Sequence, residues 1–166
     1  MADPAKIREN LMPPRLIDTI DRRILGELQN DGRMTNQDLS EAIGLSPSPC
    51  LRRLRQLESD GVIFRYVALV DPASVGLPVT AFIRVRLDRQ DDRNLALFEE
   101  AVAGFPEVME CYMMTGDSDY QLRGLFASLA DFEEFLRQKL TRIHGVSQVT
   151  TSFALRPIVY KTSLPL

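Results

Sequence analysis

The sequence predicts an α+β protein in two parts: a winged helix-turn-helix, then a ferredoxin-like βαββαβ sheet. Three observations carry this. Between Ile17 and Asp60 apolar residues recur at three- and four-residue steps in three short blocks, each with a capping residue at its start. From Ile63 the period drops to two. From Val79 onward two helical stripes are set among four alternating runs in the order β-α-β-β-α-β.

The first helix is read from Ile17, Ile20, Ile24 and Leu28, with Asp18 placed to cap it and an end near Asp31-Gly32. Thr35 opens a second, with Asp38 three residues on in a near capping box, and Leu39, Ala42 and Ile43 as its buried side. Gly44 supplies a tight turn into a third. There Ser46 reads as the N-cap, its hydroxyl free to take up an orphan N–H, and Pro47 takes the first helical position, where no N–H is needed. Pro49 still lies in the first turn, and Gly61 follows Asp60 as a left-handed exit. Cys50, Leu51, Leu54 and Leu57 form the core stripe of this helix. Ser48, Arg52 and Gln56 point away from it, with Pro49, Arg53 and Arg55 on the flanks. Three arginines within four positions on a capped helix suit a DNA major groove, because arginine pairs bidentately with guanine and the helix N-terminus favours phosphate. Taken alone, the stretch equally describes an amphipathic helix with a solvated charged face.

Ile63, Arg65, Val67 and Leu69 alternate with Phe64, Tyr66, Ala68 and Val70, which predicts a strand or small wing. Asp71-Pro72, Gly76 and Pro78 break that pattern. The chain therefore divides into a mobile arm (1–16), a winged helix-turn-helix (17–70), a hinge (71–78) and a second domain (79–166).

In the second domain Val79, Ala81, Ile83, Val85 and Leu87 alternate with Thr80, Phe82, Arg84 and Arg86, the pattern of a strand buried on one face. Leu95, Phe98, Val102 and Phe105 mark a helix ended by Gly104 and Pro106. Runs from Val108 to Thr115 and from Tyr120 to Phe126 flank Gly116-Asp117-Ser118-Asp119, a hairpin-loop composition. A second helix starts near Ser128 or Asp131 and buries Leu129, Phe132, Leu136, Leu140 and Ile143; the last strand runs from about Val146 to Leu155. Helices then cover one sheet face. The other carries Phe82, Arg84, Arg86, Thr150, Ser152 and Ala154, and calls for a partner, most simply a second copy about a two-fold axis.

Composition narrows the function classes. The 166 residues are 45% hydrophobic and 26% charged, as in soluble globular proteins. No apolar run is long enough to span a membrane and the N-terminus lacks an export signal, so a cytoplasmic protein is expected. Cys50 and Cys111 read as buried thiols in a reducing compartment. The net charge of −3 means that DNA binding must come from local charge. His144 is the one histidine, and no nucleophile triad, metal spacing or phosphate loop surrounds it. No catalytic residue, metal or cofactor is expected.

With both halves laid out, IDRRILGELQNDGRMTNQDLSEAIGLSPSPCLRRLRQLESDGVI, EVMECYMMTGDSDYQLR and GVSQVTTSFALR, with the tail KTSLPL, resemble the leucine-responsive/asparagine regulator (Lrp/AsnC) family of transcription regulators. The resemblance covers about Ile17 to Leu166 in order and spacing. It implies a ligand-sensing second domain, dimers that usually build octamers, and regulation of double-stranded DNA binding by a small amino acid held between subunits. It further implies an effector site made by Thr115, Gly116, Asp117, Ser118, Asp119 and Tyr120, with Thr151 and Ser152 of a neighbouring subunit. The chemistry agrees: Gly116 permits close backbone approach, loop N–H groups cradle a carboxylate, and an aspartate answers an ammonium. On the DNA side it implies groove contacts from Ser48, Pro49, Arg52 and Arg53, with Ser46 beside them at the helix start and Arg55 at phosphate. Met109, Met113 and Met114 near the loop read first as gap-fillers and second as an apolar pocket wall.

Other readings share parts of this pattern. An architectural DNA-wrapping octamer has every DNA-binding feature and differs only in needing no TGDSDY loop. A protein-interaction module would not need the outward arginines. The sirohaem decarboxylases are similar in fold, but use histidines that this chain hardly has.

Overall fold

The computed structural model describes residues 16–166; the predicted arm lies, Leu16 apart, outside the described residues. The chain divides into two units: the described residues up to Ala68 together with Val159–Leu166, and Leu69–Ile158.

The first unit is built on α1 (Thr19–Asn30), α2 (Asn36–Ile43) and α3 (Pro47–Ser59). Asp18 caps α1 by accepting the Asp21 N–H at 2.8 Å. Thr35 caps α2 by accepting the Asp38 N–H at 3.2 Å, and its own hydroxyl donates to the Asp38 carboxylate at 2.7 Å, a side-chain pairing in place of the return bond to the backbone that a capping box makes. Gly44 ends α2 in the left-handed region at φ 70°, with Leu45 N–H bonded back to Ser40 O at 2.9 Å. Ser46 has the backbone conformation of an N-cap but makes no side-chain bond. The expected hydroxyl cap is absent: Pro49 at the third helical position removes one of the two N–H groups that such a hydroxyl can take, and the other, on Ser48, is not bonded to it either.

Ile24, Leu39, Ile43, Cys50 and Leu57 form the buried centre of this unit, with Leu54 and Ile63 packed against it. Two positions differ from the sequence reading. Ala42 is exposed while Ser40 is buried, its hydroxyl donating to Gln37 O at 2.8 Å. Leu51 is half-buried and stands outside the core cluster. Past Gly61, at φ 71°, residues 64–70 form no strand and, among the described residues, join no ladder, so the predicted strand is absent there. Tyr66 fastens this segment to α3, its hydroxyl donating to Glu58 at 3.0 Å. The tail returns to α1, where Gln29 accepts the Leu164 N–H at 2.5 Å. The expected hinge at 71–78 falls inside the second unit, as a turn in which Asp71 accepts the Ala73 and Ser74 N–H groups and Gly76 closes a short 3-10 segment.

The second unit holds β1 (Val79–Leu87), α4 (Asp92–Ala103), β2 (Val108–Met113), β3 (Tyr120–Phe126), α5 (Leu129–Gln138) and β4 (Val146–Phe153). The strands form one antiparallel sheet in the order β2-β3-β1-β4, the ferredoxin-like arrangement. Ala81, Ile83, Val85 and Leu87 of β1 are buried in a core shared with Phe98, Tyr120, Leu122, Phe126 and Phe135. Phe126 meets Phe132 edge-on at 5.2 Å and Phe135 at 5.2 Å. Phe82, Arg84 and Arg86 project from the opposite, bare face. Leu129, expected inside α5, is 60% exposed, because Ser128 caps at Asp131 N–H and the helix begins with Leu129 on its outer side. Cys111 is exposed: β2 is an edge strand with one hydrogen-bonded neighbour.

Gly124, buried in β3 between Ala81 and Val108, leaves no room for a side chain; a Cβ there would lie 2.7 Å from Phe126 Cε2. Gly124→Ala is expected to destabilise the chain by about 1–3 kcal/mol through displacement of the Phe126 ring, read as a lower denaturant midpoint at unchanged slope.

Candidate DNA-reading face and ligand hollow

On α3 the outward groups lie where helical stepping puts them. Ser48, Leu51, Arg52, Arg55, Gln56 and Ser59 line one open, shallow depression. Ser46, Ser48, Arg52 and Arg55 are exposed and Pro49 is half-buried. The first turn carries no acidic residue, so the N-terminal end and the two guanidinium groups present positive charge without local competition.

Arg53 occupies a different place. Its Nη1 lies 2.7 Å from Asp18 Oδ2 and 2.9 Å from Asp21 Oδ1, and Asp21 has no solvent exposure. Arg53 thus ties α3 to the start of α1. The resemblance implied a groove contact for Arg53; in the structure its guanidinium is engaged by two carboxylates of its own domain.

In the second unit a hollow of about 210 Å³ opens on the bare sheet face, lined by Arg84, Val85, Arg86, Asp117, Ser118, Gln148 and Thr150. Register explains the set. Arg84 stands opposite Thr150 and Arg86 opposite Gln148 across β1 and β4, while Val85 opposite Tyr120 brings the β2–β3 loop to the same end. Among the described residues no ion pair joins Arg84, Arg86 or Asp117 to any partner. The charges are free to meet a solute.

The loop residues divide into two groups. Asp117 and Ser118 line the hollow, and Gly116 holds φ at 110°, where a side chain would be strained. Thr115 is exposed beside them. Asp119 and Tyr120 are held by contacts within the chain. Asp119, 8% exposed, accepts Leu87 N–H at 2.6 Å and the Gln90 amide at 2.5 Å. Tyr120 packs on Phe98 at 4.5 Å, and burial, then its bond to Glu99 at 2.7 Å, raises its hydroxyl pKa. Thr151 pairs with Ile83 and Ser152 with Phe82; neither lines the hollow. Sequence reasoning put Arg84, Arg86 and Thr150 on the bare face but did not join them to the loop, and it missed Gln148. Met109, Met113 and Met114 are exposed and lie outside the hollow. Among the described residues no group of three or more His, Cys, Asp and Glu side chains is placed to hold a metal ion, and no helix is long and apolar enough to cross a membrane.

A three-helix unit with a basic third helix and a separate αβ sheet with a charged hollow define a DNA-binding protein with a ligand-binding domain. Family models match both parts: winged helix-turn-helix DNA-binding over residues 17–63, and the Lrp/AsnC ligand binding domain over 80–164. The chain belongs to the Lrp/AsnC family of DNA-binding transcription regulators, whose named members are regulators and not enzymes. It is similar to the leucine-responsive regulatory protein of Rhizobium meliloti, 42% identical over 86% of this chain and 91% of that one. It is also similar to the DNA-binding transcriptional activator DecR of Escherichia coli, 38% identical over 91% and 99%. Among solved structures, a transcriptional regulator of Neisseria meningitidis in complex with L-methionine matches with TM-score 0.85 and 44% identity, over 89% of this chain and 96% of that one. An AsnC family regulator of Agrobacterium tumefaciens matches with TM-score 0.85 and 41% identity, over 89% and 96%.

Proposed function

We propose that this regulator senses a small amino acid at the hollow beside the β2–β3 loop, within a homo-oligomer built first as a two-fold dimer. The observation that supports this most is the joining of Asp117 and Ser118 to Arg84 and Arg86 around one cavity, since an α-amino acid needs an acidic and a basic group at once. The bare sheet face with exposed Phe82, and the exposed apolar residues Phe64, Val67, Leu69 and Val70, support self-association. Effector between subunits then acts by favouring one arrangement of paired helix-turn-helix units over another, and so one half-site spacing; only a difference in its affinity for the two arrangements drives the change.

At the DNA face, Ser48 and Arg52 contact bases, with Pro49 and Ser46 at the groove edge and Arg55 at phosphate, while Arg53 holds the helix in place. The test is a mobility-shift assay on duplexes selected from a random pool, repeated with each of the twenty amino acids. The wild-type complex is expected to change affinity or stoichiometry with one chemical class of amino acid. Arg52→Ala is expected to lose about 1–3 kcal/mol on the selected site and little on random DNA; Arg55→Ala weakens both alike and lowers the salt slope by about one. Equal losses on both duplexes for Arg52→Ala would remove it from base reading. Confirmed DNA binding that no amino acid alters would replace the sensor with an architectural protein.

A further inference from the structure

We propose that the hollow selects a dicarboxylic amino acid, an aspartate- or glutamate-like effector, over the aliphatic and thioether amino acids. This rests on the sensor reading and narrows it.

Charge is the first argument. The hollow presents two guanidinium groups, from Arg84 and Arg86, against one carboxylate, from Asp117. The other loop carboxylate, Asp119, is buried and committed to Leu87 N–H and Gln90. A zwitterion with an apolar side chain satisfies Asp117 with its ammonium and one arginine with its carboxylate. It leaves the second arginine beside a partly desolvated ligand with no counter-charge. A second carboxylate on the ligand answers it bidentately.

Lining chemistry is the second. Val85 is the one aliphatic residue of the lining, and it is fully buried with its side chain in the core of the sheet's other face. What remains is guanidinium, carboxylate, hydroxyl and amide from Ser118, Thr150 and Gln148. Among the residues of this chain that line the hollow, no other aliphatic or aromatic side chain covers a leucine or methionine side chain, and the exposed Met109, Met113 and Met114 lie elsewhere. The volume, about 210 Å³, lies below the roughly 300–1,000 Å³ of pockets for drug-sized ligands and suits one small metabolite.

The experiment is isothermal calorimetry with a parallel thermal-shift series on the full chain, using L-glutamate, L-aspartate, L-leucine and L-methionine, with glutarate as a dicarboxylate lacking the ammonium. Glutamate or aspartate is expected to bind and raise the midpoint, with glutarate weaker. Arg84→Gln and Arg86→Gln should each raise the Kd for the acidic amino acid about tenfold or more, and Asp117→Asn should erase its advantage over glutarate. Both arginines are exposed strand residues without an ion-pair partner, so these variants fold; their unliganded midpoints verify it. Binding of leucine or methionine with no binding of the acidic amino acids would overturn this inference and leave the sensor intact. Acidic binding that survives both arginine variants would overturn the assignment to this hollow. No binding of any of these ligands, nor of the other amino acids when the thermal-shift series is extended to all twenty, with DNA binding retained, would overturn both.

Discussion

Arg53→Ala is expected to lower the stability of the N-terminal unit by about 2–4 kcal/mol and to weaken binding to every DNA sequence alike. The magnitude follows from removing one charged partner of a buried carboxylate, at the lower end of what breaking a buried charge pair costs because Asp21 keeps other interactions. Asp21 is fully buried and loses the guanidinium at 2.9 Å, while Asp18 loses the one at 2.7 Å. DNA affinity falls because α3 is no longer braced against α1, not because a base contact is gone, so selected and random duplexes suffer in equal proportion. Arg53→Lys, with its single ammonium, should recover part of the stability. Acid adds a further check. Asp18 is held below its ordinary value of 3.8, first by the Asp21 N–H and then by Arg53. A lowered folded value means that the Arg53 contribution is full above 3.8 and is lost as the pH falls through the lowered value. The gap between wild type and Arg53→Ala in thermal melts should therefore narrow below pH 3.8. A gap that widens there, or an Arg53→Ala variant that melts like wild type and loses only site preference, would return Arg53 to the groove.

What could and could not be read from the chain follows from how far each feature reaches. Asp18, Thr35 and Gly44 act within four residues of their own helix ends, and period-two and period-3.6 patterns are local, so element order and the ferredoxin-like topology were legible. The absent Ser46 hydroxyl cap has an equally local fact beside it, the missing N–H of Pro49. Arg53 needed more. Whether a flanking side chain meets solvent or Asp18 and Asp21 depends on how α3 packs against a helix about thirty residues earlier, which periodicity does not encode. The same holds for the hollow: alternation places Arg84 and Arg86 on the bare face, but only the β1–β4 register sets Gln148 and Thr150 beside them and the loop at their end. In 64–70 alternation predicted a strand; a strand also needs a ladder partner, and the described residues supply none.

Asp119 and Asp117, two residues apart in one loop, should separate cleanly into a structural and a ligand role. Asp119→Ala is expected to destabilise the second unit by about 2–3 kcal/mol. It strips the buried Leu87 N–H of its acceptor at the end of β1 and frees Gln90. The backbone of Asp119 is also the loop's anchor, donating to Val85 O at 2.9 Å and accepting from Met114 N–H at 2.8 Å. Loss of the carboxylate therefore loosens the Gly116–Ser118 segment that it holds in place, and effector response should disappear together with the fall in melting temperature. Asp119→Asn keeps an acceptor for Leu87 N–H and should restore most of the stability. Asp117 is exposed, and no hydrogen bond or ion pair from its carboxylate is seen among the described residues. Asp117→Asn should leave the stability within about 0.5 kcal/mol of wild type while removing the response. The contrast is measured by denaturation and calorimetry on the same preparations. An Asp119→Ala variant with wild-type stability and no response would put both carboxylates on the ligand, and would turn the charge balance of the hollow from an excess of arginine to parity.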